Sequence, residues 1–443
     1  MQRACLDPAR LKAPDMKRPN IVFLHIDQQN PHAIGANGCS YVSTPHMDRI
    51  IGKGVSFQHF CVANPCCMPS RTSWYTGLMS EEHGQLDNNL PNMDPTIADI
   101  GPLIRSGGYD PVFMGKWHVA KPVEQSFQLL FNGHGCGELG DGPTARAAEA
   151  FLADREGDKP FFLNVGLLNP HDCCMWGYDF NWRGDGPAKY SLGPGMIDEL
   201  PLLPPNHRFT CMPTMPESEF SADPTRGHWT DVDWRYYMYC YYRQVEMVDA
   251  EIGRILSALE HSRFADNTIL IFASDHGDGV AQHYHYGKGS PLDPSMVAPL
   301  VIVDPAVKSR RDNIHAVSNI DITATICDYA GVDPLPGRRG LSLRPVLEGK
   351  STDWRPYAAA CASFDGRNRL IRTPTHKLIN DRKNNEYVMY DLVNDPLEMK
   401  NVVADAAYAS TLKQLKDYMD ANEATYHYAP GTIARFERFL KKT

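Results

Sequence analysis

The first clear pattern along the chain is an unbroken apolar run. Asn20 to Ile26 reads Asn-Ile-Val-Phe-Leu-His-Ile, without the polar alternation of a half-exposed strand, and it stops at Asp27-Gln28. Such a run suits a parallel strand covered on both faces. Similar runs recur at Pro111–Met114, Pro160–Leu168, Thr268–Ala273 and Ala298–Val303. Helical patterns lie between them. Thr44 to Gly54 opens on Thr-Pro, a cap followed by a first-turn proline. Thr96–Ser106, Thr144–Asp154 and the long amphipathic stretch Trp234–Leu259 follow. Strand and helix in alternation predict an α/β protein, a parallel sheet with helices on both faces.

Beyond Gly337-Arg338-Arg339-Gly340 the pattern changes. Asn368–Ile379 and Glu386–Leu392 suggest antiparallel strands, and Tyr408–Ala424 a closing helix. The expected division is a catalytic α/β domain over 1–344 and a smaller α+β subdomain over 345–443. Cys174 to Arg226 is rich in Pro, Gly and Asp and has little periodicity. It is either a pocket-lining loop or a structural excursion. Its Trp176, Tyr178 and Trp182 suit sugar stacking and core packing equally.

Charge and cysteine content narrow the function. The chain has 443 residues and a net charge of -9, which argues against a nucleic-acid partner. An anionic substrate stays possible, because local cations outweigh distant net charge. The basic tail Arg435–Lys442 is expected to be a solvated helix end. No apolar run approaches membrane-spanning length, so no membrane partner is expected. Met1 to Pro19 lacks the apolar stretch of a secretion signal. The expected compartment is therefore cytoplasmic, or periplasmic or secreted if a leader has been removed. The 12 cysteines form no Cys-x-x-Cys pair, which argues against a zinc or thioredoxin-type site. Most are expected to be reduced and buried, including the vicinal pairs Cys66-Cys67 and Cys173-Cys174.

Reactive residues gather just past the carboxyl ends of the expected strands: Asp27 and Gln28, Lys116 and His118, His171, and Asp275 and His276. Ligands of open parallel sheets bind in the crevice at that edge. Singly, an aspartate there is more often a cap or turn residue, and a histidine a hydrogen-bonded structural one. Together, Asp27, Gln28, Asp275 and His276 offer oxygen donors and an imidazole. That set suits Ca²⁺ or Mg²⁺, and the imidazole also admits Mn²⁺ or Zn²⁺.

Residues 65–77 contain Cys67-Met68-Pro69-Ser70-Arg71 and, further on, Thr76-Gly77. This Cys-x-Pro-Ser-Arg pattern with its downstream Thr-Gly resembles the signature of the formylglycine-dependent (type I) sulfatases. Resemblance to that family covers most of the chain. It includes the opening Pro19-to-Gln28 stretch, Thr44-Pro45-His46-Met47-Asp48, Gly115-Lys116-Trp117-His118, Ser274-Asp275-His276-Gly277, and Tyr390 to Asn401. It departs at Asp27-Gln28, where many members have two adjacent aspartates; the glutamine keeps an amide oxygen but removes a charge.

The resemblance implies an alkaline phosphatase-like fold: a large mixed, mostly parallel sheet sandwiched by helices, with a smaller C-terminal antiparallel sheet and helix. It implies that a formylglycine-generating enzyme oxidises Cys67 to 3-oxoalanine, whose hydrate attacks a sulfate ester. The ligands implied for a divalent cation, Ca²⁺ first and Mg²⁺ or Mn²⁺ as alternatives, are Asp27, Gln28, Cys67 after modification, Asp275 and His276. Arg71, Lys116, His171 and Lys288 would bind the sulfuryl group. Asp275 would accept the attacking proton, His118 would deprotonate the second hydroxyl, and His171 or Lys288 would protonate the leaving oxygen. Backbone N–H groups at a helix start would add anion affinity. His283 and His285 compete with Lys288 for its place, and Ser70 either caps a helix or bonds to the site.

The substrate expected is a sulfated carbohydrate. One rival is a phosphonate monoester hydrolase or phosphodiesterase of the same superfamily, although such relatives often have Gly-Pro-Ala-Arg-like wording. The other is an inactive relative that binds sulfated glycans.

Overall fold

The computed structural model describes residues 18–427, except 89–92, 95, 134, 175–193, 210–228, 351–352 and 363–365. The apolar run after Pro19 forms β1 (Asn20–Asp27), buried along its whole length. It lies at the middle of an eight-stranded sheet of order β5-β4-β6-β1-β7-β8-β2-β9. The other members are β2 (Val55–Phe57), β4 (Asp110–Gly115), β5 (Gln128–Asn132), β6 (Phe161–Pro170), β7 (Thr268–Ser274), β8 (Leu300–Val303) and β9 (Arg310–Asp312). β1 pairs parallel with β6 and β7, and β4 pairs parallel with β5 and β6. β8 runs antiparallel to β7 and β2. The sheet is therefore mixed, and the run at Ala298–Val303, grouped with the parallel strands in the sequence, is the one that reverses. A two-stranded pair, β3 (Phe60–Cys61) with β10 (Val317–Ser318), lies outside it.

Side chains alternate across β1, so both faces need cover. Val22, Leu24 and Ile26 join one core with α1 (Pro45–Lys53), the middle helix Gly137–Asp154 and the long helix Asp231–His261. Ile21 and Phe23 join the other core with α2 (Cys67–Thr76), α3 (Ile100–Ser106) and the helix Asn319–Ala330. We label those three further helices α4 (Gly137–Asp154), α5 (Asp231–His261) and α6 (Asn319–Ala330). A buried Leu, Ile or Phe contributes about 1.5–3 kcal/mol, so the stacked pairs on β1 hold its carboxyl end firmly.

The C-terminal sheet is antiparallel, of order β11 (Ala358–Ala362), β12 (Asn368–Arg372), β13 (His376–Asp381), β14 (Glu386–Asp391). Asn368–Ile379, expected as one strand, is a hairpin instead, because Thr373-Pro374-Thr375 turns the chain. Leu370, Ile379 and Val388 face the large domain's core, whereas Ile371, Leu378 and Met389 face α7 (Ala409–Glu423) through Leu415 and Met419. Trp176, Tyr178, Trp182 and the basic tail lie outside the described residues. No described helix is long and apolar enough to cross a membrane. The ten described cysteines are all free thiols.

Candidate active site

α2 places Cys67 at its first residue and Arg71 one turn later, both fully buried. Thr76-Gly77 ends the helix. Gly77 has φ 68°, and its N–H bonds to the Ser73 carbonyl at 3.0 Å. The left-handed C-cap explains the glycine at that spacing. The glycine before Lys116 has another reason: a Cβ on Gly115 would lie 2.0 Å from the Gly166 carbonyl oxygen. Only hydrogen fits where β4 leaves the sheet beside β6.

The strand ends converge on Cys67. Its Sγ lies 3.2 Å from His276 Nε2 and 3.5 Å from Asp27 Oδ1, and Lys288 Nζ donates to it at 2.7 Å. His118 also favours the charged form of this sulfur. Donor atoms of Asp27, Cys67, Asp275 and His276 all fall within 4.8 Å of one another, and all four residues are buried. The His276 Nδ1 faces the Gly277 carbonyl at 2.9 Å. That contact orients Nε2 toward the group, the usual second contact of a ligating imidazole. Two carboxylates, an imidazole and the nearby Gln28 amide oxygen make a donor set that fits a hard divalent cation.

Arg71 lies beneath this group. Nε donates to Asp275 Oδ2 at 2.7 Å and Nη2 to Asp27 Oδ2 at 2.9 Å. Nη1 donates to the Lys116 carbonyl at 2.9 Å and to His25 Nδ1 at 3.2 Å. A guanidinium has five N–H groups, so one Nη2 hydrogen has no partner among the described residues. The main work of Arg71 in this geometry is to orient the two aspartates. Lys116 Nζ reaches Asp27 Oδ2 at 2.6 Å. Lys288 Nζ also donates to Gln28 Oε1 at 3.3 Å.

Charge and burial compete here. Burial and the Cys67 charge push Asp27 up, yet Lys116, His171 and Arg71 hold its carboxyl well below the usual range. Burial and Asp27 raise Asp275. Desolvation would raise the Cys67 thiol, but Lys116, Lys288, His276 and His118 bring it well below an ordinary thiol. Burial lowers His276, but Asp275 and Cys67 prevail and raise it to about 9. Burial also pushes Asp278 up, to about 6.

The expected residues do not all sit alike. His118 Nδ1 and His171 Nδ1 are buried without a hydrogen-bond partner among the described residues. Gln28 and His118 have φ of 69° and 49°, uncommon for residues with a side chain and frequent at functional sites. Ser70 turns away from the group. Its hydroxyl bonds to the Asp275 carbonyl and accepts from Asn319 Nδ2 at 2.7 Å, tying α2 to β7 and α6. His283 is held by Asn206 and the Phe209 carbonyl, and Lys288 takes the place at Cys67. The backbone N–H of Met68 at the helix start is satisfied by Asn88 Oδ1 at 2.9 Å, so it is not free for an anion. Sequence reading missed His25, Asp278 and Asn319. Of these, only Asp278 carried a signal, two residues past His276 in the same run.

Comparison with known proteins agrees with this geometry. The sulfatase family profile matches residues 19–332. The chain belongs to the sulfatase family. It is a sulfuric ester hydrolase with the alkaline phosphatase-like fold. A profile described as N-sulphoglucosamine sulphohydrolase, C-terminal, matches residues 281–425 of the sulfatase. A Delta 4,5-hexuronate-2-O-sulfatase of Bacteroides thetaiotaomicron is 27% identical, over 93% of this chain and 90% of that one. An N-acetylglucosamine-6-O-sulfatase of the same organism is 27% identical, over 96% of this chain and 89% of that one. Among solved structures, a 2-O GAG sulfatase superposes with a TM-score of 0.79 at 24% identity, covering 91% of this chain and 92% of that one. The phosphonate monoester hydrolase of Agrobacterium radiobacter gives 0.71 at 24% identity, covering 92% and 96%.

Proposed function

We propose that this sulfatase hydrolyses a sulfate ester of a carbohydrate, with Cys67 converted to formylglycine and Ca²⁺ held by Asp27, Gln28, Asp275, His276 and the modified residue 67. The observation that carries the reading is the placement of Cys67 Sγ, within 3.5 Å of Asp27, His276 and Lys288 atoms at one buried point. The substrate class rests on the relatives named for hexuronate and N-acetylglucosamine sulfates. A formylglycine-generating enzyme is the transient partner.

Hydrated formylglycine supplies the hydroxyl nucleophile, and a bound divalent cation supplies Lewis acidity and lowers the pKa of a nearby hydroxyl. The chain's own residues do the rest. Arg71 holds Asp27 and Asp275 apart and aimed at the same point. Asp275 accepts the proton of the attacking hydroxyl. Lys116 and Lys288 offset charge on the sulfuryl oxygens. His118, whose side chain favours the charged form of residue 67, takes the second hydroxyl proton when sulfate departs. His171, whose Nδ1 has no partner among the described residues, holds a proton for the leaving sugar oxygen.

The test is a substrate panel: an aryl sulfate, an aryl phosphonate, and sulfated hexuronates and hexosamines. Sulfate release from a sulfated sugar faster than phosphonate cleavage supports the reading. Faster turnover of the phosphonate would overturn it in favour of phosphonate hydrolysis.

A further inference from the structure

The amide of Gln28 can point its oxygen or its nitrogen at the cation site, and the two are opposite in effect. An amide nitrogen cannot ligate a hard cation; the oxygen can. What chooses between them lies on the other side of Gln28, at Asp278. The Asp278 carboxylate is fully buried. Its Oδ1 accepts the Val280 N–H at 2.7 Å, and its Oδ2 accepts the Gly287 N–H at 3.1 Å and the Tyr237 hydroxyl at 2.8 Å. Backbone N–H groups only donate, so both carboxylate oxygens act as acceptors there. Gln28 meets Oδ2 at 2.7 Å, and what it presents is therefore Nε2. Its Oε1 then faces the other way, where Lys288 Nζ donates to it at 3.3 Å. Cys174 lies alongside, its Sγ 3.0 Å from Nε2 and 3.2 Å from Oε1, and favours neither orientation.

We propose that Asp278 is a positioning residue that fixes the Gln28 amide with Oε1 toward the cation site and Lys288. This rests on the cation site proposed above and adds a group to it that touches neither substrate nor cation. It also gives a physical reason for a glutamine beside Asp27. A carboxylate at position 28 would confront the Asp278 carboxylate across the 2.7 Å contact, whereas an amide turns that contact into a hydrogen bond.

The test is a double-substitution cycle read as Ca²⁺ affinity by calorimetry, with melting in chelator recorded for every variant. Asp278→Asn offers an N–H₂ to Gln28, which rotates the amide and aims Nε2 at the cation. Ca²⁺ affinity is expected to fall about tenfold or more, in the range usual for groups behind a ligand. In the isosteric Gln28→Glu background the same D278N change removes a carboxylate–carboxylate contact and is expected to raise affinity. This reversal of sign is what a merely structural role would not produce. Equal losses in both backgrounds, or unchanged affinity in D278N, would overturn the proposal while leaving the cation site intact. Absence of Ca²⁺, Mg²⁺ and Mn²⁺ binding by the unsubstituted protein overturns the cation site and this role with it. Should D278N fail to fold, Tyr237→Phe removes the hydroxyl that Asp278 Oδ2 accepts at 2.8 Å, together with its longer contact to Cys173 Sγ, and is expected to weaken Ca²⁺ binding about threefold, the loss of one modest hydrogen bond. Unchanged affinity in Y237F would then overturn the role.

Discussion

Replacing Arg71 by lysine keeps the charge and loses the geometry. The guanidinium serves Asp275 through Nε and Asp27 through Nη2, at 2.7 and 2.9 Å, with all side chains fully buried. A single ammonium cannot span both carboxylates. Hydrogen bonds to charged groups contribute about 1.5–3 kcal/mol each. Stripping a partner from a buried pair costs about 3–5 kcal/mol. Since Arg71→Lys keeps one contact, the expected loss is about 3 kcal/mol. The assay is urea unfolding at pH 7 in chelator, so that no cation compensates the aspartates. Arg49→Lys is the control: Arg49 pairs with Glu260 at 3.1 Å, but the side chains are 35% and 37% exposed, and exposed pairs contribute about 0–1 kcal/mol. Turnover of an aryl sulfate by R71K is expected to fall with the stability, because the same two aspartates lose their aim. If R71K costs no more than R49K, the account of Arg71 as the clamp is wrong.

Further outcomes follow from the same site and from one buried cluster away from it. Cys67→Ala is expected to lower sulfate-ester turnover by about 10⁴-fold or more; residual activity near the parent level would remove residue 67 from the reaction. Exhaustive chelation is expected to abolish turnover, and titrating Ca²⁺ back to restore it; full activity after chelation contradicts the cation's role. Asp293 is partly buried; desolvation raises its pKa, but Arg372 and Lys377 prevail and hold it well below the ordinary carboxylate range. Its folded pKa is thus below its unfolded one, so its stabilisation is present above about pH 4 and is lost as pH falls toward the depressed value. Asp293→Asn should make the urea midpoint less sensitive to pH between about 5 and 3; equal slopes for the two proteins would show that this pair does not govern acid stability.

The parts of the fold that were legible in the sequence are those dictated by burial. β1, β4, β6 and β7 are mostly apolar because both faces are covered, and their runs mark them within a residue or two. The sheet's edges left no such trace. Gln128–Asn132 alternates exposed and half-buried positions, and Arg310-Arg311-Asp312 is charged. Polar edge strands of this kind discourage pairing with other chains. α2 was equally hidden to periodicity, since Ser70, Arg71, Thr72, Ser73 and Thr76 are all buried within the protein; its motif exposed it instead. At the site, strand-end position brought out Asp27, Gln28, Lys116, His118, Asp275 and His276. It could not reveal that Arg71 holds aspartates from below. Nor could it reveal His25, which reads as one more strand residue yet accepts from Arg71. Such support depends on contacts between β1, α2 and the loop after β7, which no local pattern encodes.

The central claim is that residue 67 works as an aldehyde. The mass of the tryptic peptide containing Cys67, measured on preparations of graded specific activity, tests it most directly. The account predicts a peptide lighter by the thiol-to-aldehyde conversion, in a proportion that rises linearly with sulfate-ester turnover. Full turnover from a preparation in which that peptide carries only the intact thiol would contradict it.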